Sequence, residues 1–313
     1  MTPVRSRYVA CGRDLSVSPH TVITDDLAEL RDALTGAARQ VTPPKENPSP
    51  SGGSAPSIAR MYSYLTGGKD HMAADRQAAD SVLSEFPEVA TIAMANRRFV
   101  TLAVAQVAEQ GIGGFIDIGA GLPSRLNVHQ VARRINPAAA TCYVDSDEIV
   151  LAHAGALLAA GPNVTVAKGD LRDPAAILAH PALAGTIDVT RPVCLILASV
   201  LHFLEPGEAD HTVATLAAAV APGSYLILSA GTSTGTDPAL LARLRSAYSP
   251  VSVVSARTEA DIVAWFAGWD VLLPGLVDVR HWQPGPLPRR TRPYPTAGRF
   301  LAAVARKPSR DQP

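Results

Sequence analysis

Three carboxylates and two glycines stand in this chain where they could do chemistry. Asp117-x-Gly119-x-Gly121 ends the short apolar run that begins at Phe115 and Ile116. Asp145 closes a second run, Thr141-Cys142-Tyr143-Val144, and Asp170 follows Gly169 after a third, Val164 to Ala167. Apolar runs of this length fit buried strands. Glycines immediately after a strand let the backbone turn tightly and leave no Cβ in the path of a flat, nucleoside-bearing ligand. A glycine turn alone is weak evidence, because many α/β turns carry glycines without a ligand. Strand, glycine turn, helix, strand and acid in that order describe a nucleotide-type pocket in which Asp145 accepts from ribose hydroxyls. The alternative for Asp145 is capping of the next helix, but Ser146 and Asp147 are at hand for that.

The elements that must hold these residues alternate. Helical stretches over Ser57–Tyr62, Ala73–Glu85 and about Ala90–Gln110 precede the first strand, with Gly67-Gly68 breaking the first two apart. A helix over Pro123–Ile135 joins the first two strands. A second, Asp147–Ala160, carries Val150, His153, Ala154 and Leu157 on one face. The helix over Asp173–Leu183 and the continuous apolar run Val193–Ala198, suited to a central parallel strand, come next. Glu208–Val220 has apolar residues at i, i+3, i+4 and i+7, and Tyr225–Leu228 reads as a fifth strand. This is the pattern of a doubly wound parallel sheet, covered on both faces. Further on come helices over Pro238–Tyr248 and Thr258–Trp269, the second opening with a Thr258/Asp261 capping box. Strands at about Asp270–Leu273 and Arg299–Arg306 follow, separated by the Pro- and Arg-rich loop Gln283–Pro295. No long helix fits between them, so they are expected to pair antiparallel.

Composition bounds the function. The 313 residues are 47% hydrophobic and 18% charged, enough to bury a full core. Lys+Arg and Asp+Glu balance at 28 each, which offers no electrostatic reason to expect nucleic acid or an anionic membrane as a partner. Cys11, Cys142 and Cys194 are far apart and form no Cys-x-x-Cys pair, so no metal is expected and a reducing cytoplasm fits. Arg5, Arg7 and Arg13 are not followed by an apolar h-region. Residues 1–55 read as a flexible leader with one amphipathic helix, Asp25–Ala38, bearing Leu27, Leu30 and Leu34. The stretch Thr42–Pro56 has a linker's composition. Residues 56–112 read as an N-terminal helical cap and 113–308 as the cofactor-binding domain.

Taken together, Asp117-x-Gly119-x-Gly121, Asp145, Gly169-Asp170-Leu171 and Ala221-Pro222-Gly223-Ser224 resemble the class I S-adenosylmethionine-dependent methyltransferases. That resemblance implies a Rossmann-like seven-stranded sheet with an antiparallel final strand. The chain is more closely similar to an actinobacterial S-adenosyl methyltransferase family of unassigned substrate, the DUF574 type. The match is carried by Arg60 to Asp70 (RMYSYLTGGKD), Asp117 to Ser124 with Asn127-Val128-His129, Tyr143 to Asp147, Asp170 to Pro174, and Val200-Leu201-His202-Phe203. It spans about Pro56–Pro308. Where that family usually has Thr after the first glycine and again at the end of the motif, this chain has Ala120 and Ser124, both small changes.

The resemblance implies S-adenosyl-L-methionine as cofactor. Gly119 and Gly121 would pass under its methionine portion, and Asp117 would accept from the amino group, unless that carboxylate only ties down its own turn. Asp145, beside Ser146, would hold the ribose. Asp170 would accept from the adenine amine while Leu171 covers the ring, and the backbone of Ala198 and Ser199 would line the cleft. The sulfonium methyl is already activated, so positioning and exclusion of water are the main demands. A base is needed only if the acceptor must lose a proton. His202, just past the fourth strand, is the best-placed candidate, with packing beside Phe203 as its alternative. His71, His129 and His153 read as structural. Tyr62, Tyr64, Gly67, Gly68, Lys69 and Asp70 are expected to form a lid or part of an acceptor pocket, or else a brace at the sheet edge. Asn96 and Arg97 could meet the same ligand.

The expected activity is methylation of a small molecule at O, N or C. Two other classes compete. A regulatory protein could bind the cofactor without turnover. A nicotinamide-dependent oxidoreductase fits less well, because Ser124, preceded by Leu122-Pro123, stands where its fingerprint wants a third glycine.

Overall fold

A computed structural model describes residues 55–159, 161–287 and 298–309. The expected leader helix, Cys11 and most of the Pro- and Arg-rich loop lie outside the described residues.

Three helices come first: α1 (Ile58–Leu65), α2 (Ala73–Glu85) and α3 (Val89–Glu109). The sheet then builds through β1 (Gly114–Ile118), α4 (Val128–Ile135), β2 (Ala140–Asp145), α5 (Glu148–Leu157) and β3 (Val164–Lys168). It continues through α6 (Pro174–Ala179), α7 (Pro181–Ala184), β4 (Cys194–Ala198), α8 (Pro206–Ala219) and β5 (Tyr225–Thr232). The chain closes with α9 (Pro238–Tyr248), α10 (Glu259–Ala264), β6 (Asp270–Val271), β7 (Val277–Asp278) and β8 (Arg299–Arg306).

The strand order is β3-β2-β1-β4-β5-β8-β6, with the two-residue β7 also pairing β8. The first five strands are parallel, and β8 runs antiparallel to both β5 and β6. The chain winds outward from β1 to β2 and β3, then returns to place β4 on its other side. The strand order therefore reverses between β1 and β4, where open α/β sheets collect their ligands. Alternation along β1 sends Ile116 and Ile118 into the core shared with α6, α7, α8 and α10. Phe115 and Asp117 face the opposite side, where α3 packs on β4, β5 and β8 and against α4. The α1–α2 pair is tied by a buried ion pair, Arg60 Nε to Asp75 Oδ2 at 2.8 Å, and Asp75 also accepts from the backbone of Ser57 and Met72.

Several expected boundaries are corrected. The helix expected from Pro123 begins only at Val128. Asn127 forms a capping box with Gln130 and holds Ser124–Asn127 as a loop. The helix expected over Asp173–Leu183 is two, because Pro181 removes an N–H and drives His180 to an extended ψ of 127°. Leu157 does not join Val150 and Ala154 in the core but is 62% exposed. Past Ala264 the expected helix unwinds into turns that reach Trp269. The strand at Asp270 ends at Val271, and β7 adds an eighth strand to the expected seven.

Candidate functional site

The carboxyl ends of β1, β2, β3 and β4 open onto a cleft of about 490 Å³, roofed by the first turn of α1 and one face of α3. A volume of this size suits a nucleoside-bearing small molecule. Its floor is the turn after β1. Gly119 (φ 72°) and Gly121 (φ 66°) adopt left-handed backbone, which costs an ordinary residue about 1–2 kcal/mol. They differ in what a side chain would meet. A Cβ at Gly119 would lie 2.5 Å from Val200, whereas at Gly121 no atom lies within 4 Å. Gly119 is required by packing, and Gly121 opens space toward the cleft.

Asp145 ties this turn to β2. Its Oδ2 accepts from the Gly121 N–H at 2.9 Å and its Oδ1 from the Asp147 N–H at 3.0 Å, while Asp147 itself caps α5 through Ile149. Asp145 is therefore not the helix cap. It is buried, and burial raises its pKa against the lowering effect of these backbone donors. Each oxygen keeps lone-pair capacity for a further donor. The turn-tying considered for Asp117 is thus done by Asp145. Asp117, half-buried in the cleft, makes no hydrogen bond among the described residues. Its surroundings push its pKa up to about 7, chiefly by desolvation; nearby Arg97 opposes the shift and Asp145 adds to it. Arg97 lies over the Tyr62 ring, 5.1 Å from its centroid, and its buried Nε has no partner among the described residues. An unpartnered cationic donor and an unpartnered carboxyl thus lie on one cleft wall, a complementary pair for a zwitterionic amino acid group.

The other expected cofactor residues are placed as follows. Ser146, Asp170, Leu171, Ala198 and Ser199 line the cleft. Asp170 accepts from the Arg172 backbone at 2.9 Å and pairs with its side chain at 3.1 Å, while Leu171 packs against the core. Ser199 is held at φ 63°, rare for a residue with a Cβ, and its N–H donates to Ser229 Oγ at 3.0 Å. Ser229 donates to Asn96 at 2.6 Å, Asn96 donates to the Tyr62 hydroxyl at 3.0 Å, and that hydroxyl donates to the Ala93 carbonyl at 2.9 Å. This chain of bonds locks α1, α3, β5 and the end of β4 together where Tyr62 and Asn96 meet the cleft.

The expected lid residues separate. Tyr62 lines the cleft, but Tyr64, Gly67, Gly68, Lys69 and Asp70 do not. The Tyr64 hydroxyl donates to Asp80 at 2.9 Å, and its ring packs edge-on against His71. The Gly68 N–H donates to the Ser63 carbonyl at 2.7 Å, and Lys69 and Asp70 are exposed. This segment braces α1 on α2. Its side of α1 faces α2 rather than the cleft.

His202 does not line the cleft either. It is buried against Phe203 and Phe300, and burial, with Arg257 nearby, pushes its pKa down to about 4. The remaining histidines considered have structural partners: His71 with Arg76, His129 with Tyr143, and His153 with the Ile149 carbonyl. Sequence reasoning missed the roof residues Pro56 and Ser57, just before α1, and Ile58 in its first turn, all of which line the cleft. No helix among the described residues is long and apolar enough to cross a membrane, and none of their His, Cys, Asp and Glu side chains cluster as a metal site would require.

Comparison with known proteins agrees with this geometry. A family model described as S-adenosyl methyltransferase matches residues 45–308. A proposed methyltransferase from Thermobifida fusca YX is 37% identical, covering 82% of this chain and 96% of its own, with a TM-score of 0.76. A DUF574 family protein from Streptomyces avermitilis MA-4680 is 35% identical, covering 81% and 98%, with a TM-score of 0.74. No curated protein matches. The open turn at Gly121, the carboxylate of Asp145 and the Arg97/Asp117 pair fit the nucleoside and amino acid ends of S-adenosylmethionine, and the chain belongs to the S-adenosyl methyltransferase family as an S-adenosylmethionine-dependent enzyme.

Proposed function

We propose that the enzyme methylates a small molecule, with the cofactor lying along the carboxyl ends of the strands. The observation that carries this reading is the Arg97/Asp117 pair. A cleft-lining guanidinium without an ion-pair partner among the described residues and a carboxyl held at about 7 are costly features that an incoming carboxylate and ammonium would relieve. In this reading Asp145 accepts from the ribose hydroxyls, with Ser146 beside it. Gly121 lets the ligand approach the main chain. Leu171 covers the adenine, and Asp170 can accept from its amine without leaving Arg172.

When bound, the cofactor supplies an electrophilic methyl on a sulfonium. The chain's own task is to hold an acceptor at near-attack distance and exclude water. The Tyr62–Asn96–Ser229–Ser199 bonds fix the wall beside which this happens. Ser199 and Ala198 contribute backbone, and α1 closes over the top.

The test is transfer of labelled methyl from S-adenosylmethionine into a cell extract, separated by mass. Label in the low-mass fraction is expected. Label confined to protein or nucleic acid would refute a small-molecule acceptor, and cofactor binding with no label anywhere would favour the regulatory reading.

A further inference from the structure

Beside the cofactor cleft lies a second cavity of about 120 Å³, open on one side and bounded by α1, α3, α9 and the ends of β5 and β8. The two share part of their lining through Ile58, Tyr62, Asn96, Ser199 and Phe203, so they adjoin across these side chains. Apolar side chains dominate the smaller cavity, among them Met61, Leu65, Phe86, Leu244 and Phe300. Its polar side chains are largely committed. Asn96 bonds Ser229 and Tyr62, and the Thr232 and Thr236 hydroxyls donate to backbone carbonyls. His202 is not: it is 8% exposed, and its Nδ1 has no hydrogen-bond partner among the described residues, as is also true of the Tyr248 and Ser199 hydroxyls.

We propose that this cavity is the acceptor site and takes a small molecule by a single aromatic ring whose hydroxyl bonds His202. At about 120 Å³ the cavity is somewhat smaller than the roughly 150 Å³ apolar cavity that holds benzene, and it is open on one side, so a single ring is the most it takes. A ring hydroxyl can donate to or accept from imidazole, so it satisfies His202 in either neutral tautomer. His202 thus acts as a recognition group for the ring.

The inference rests on the methyltransferase reading for its meaning, but its test does not need turnover. Phenol and toluene are titrated by calorimetry into the full chain, with and without saturating S-adenosylhomocysteine. Phenol is expected to bind with Kd on the order of 1 mM in both conditions, and more tightly than toluene by about fivefold. Leu244→Trp and, independently, Leu241→Trp, a second α9 residue lining the cavity, should weaken phenol at least tenfold while the affinity for S-adenosylhomocysteine stays within twofold. His202→Leu should abolish the preference for phenol over toluene. Loss of phenol binding when S-adenosylhomocysteine is present would place the ring in the cofactor cleft and overturn the proposal. So would absence of phenol binding, or binding unchanged in a correctly folded Trp variant. Failure of S-adenosylhomocysteine itself to bind would strike the cofactor reading instead.

Discussion

Asp117→Asn should remove one specific pH dependence of cofactor binding. The Asp117 carboxyl titrates at about 7 because its surroundings desolvate it. The α-ammonium of S-adenosylhomocysteine titrates at about 7.8. If these two groups meet as ions in the complex, the free protein must release a proton at acidic pH before it can bind. Affinity should therefore fall tenfold per unit below pH 7, about 100-fold by pH 5, and fall again above about 8 as the ammonium deprotonates. The Asn variant should lose the acid limb and bind about tenfold more weakly at pH 7.5. Stability of the ligand-free protein provides a second reading. A folded pKa above the unfolded 3.8 contributes stability that is full below about pH 3.8 and lost as pH rises through about 7. The shift corresponds to at most about 4 kcal/mol, less where cleft water reaches the carboxylate. Asp117→Asn should therefore match wild type near pH 4 and exceed it at pH 8. Calorimetric titration from pH 5 to 9 and denaturant melts from pH 4 to 9 measure the two effects. A flat wild-type affinity between pH 5 and 7, or an acid limb that survives in Asp117→Asn, would refute the pairing.

Other expectations follow from the same geometry. Gly121→Ala should cost about 1–2 kcal/mol of stability from its positive φ but lower cofactor affinity at least tenfold. Gly119→Ala should destabilise more, because its Cβ would strike Val200; equal melting of the two variants would argue against the packing role. Lys69→Ala should change neither methyl transfer nor cofactor affinity, and a loss of either with unchanged stability would restore the lid. Asp75→Ala should destabilise by about 3 kcal/mol in a denaturant melt, because buried Arg60 loses its nearest carboxylate and keeps only Asp147, at 3.6 Å, as a second one; a change under 1 kcal/mol would show that the pair contributes little.

What could be read from residues alone was local or periodic. The turn after β1, the acid after β2, the Thr258/Asp261 capping box and the antiparallel β8 all have short-range signals. Two missed boundaries had signals too, in the Asn127/Gln130 capping box and in the His180-Pro181 step. The lid was misplaced for a different reason. Tyr62 and Tyr64 are two residues apart on one helix, so their side chains point to different sides. Nothing local says which side meets α2 and which meets the cleft. The turn-tying considered for Asp117 likewise falls to Asp145, because only the register of β1 on β2 decides whose carboxylate reaches the Gly121 N–H. The second cavity draws its walls from segments spread between Ile58 and Phe300, a convergence with no sequence signature.

A crystal structure of the complex with S-adenosylhomocysteine tests the central claim most directly. The ribose hydroxyls are expected on Asp145, the amino acid end between Asp117 and Arg97, and the sulfur facing the wall at Ser199. A ligand bound outside this cleft, or one whose ribose lies away from Asp145 and whose amino acid end lies away from Arg97, would contradict it.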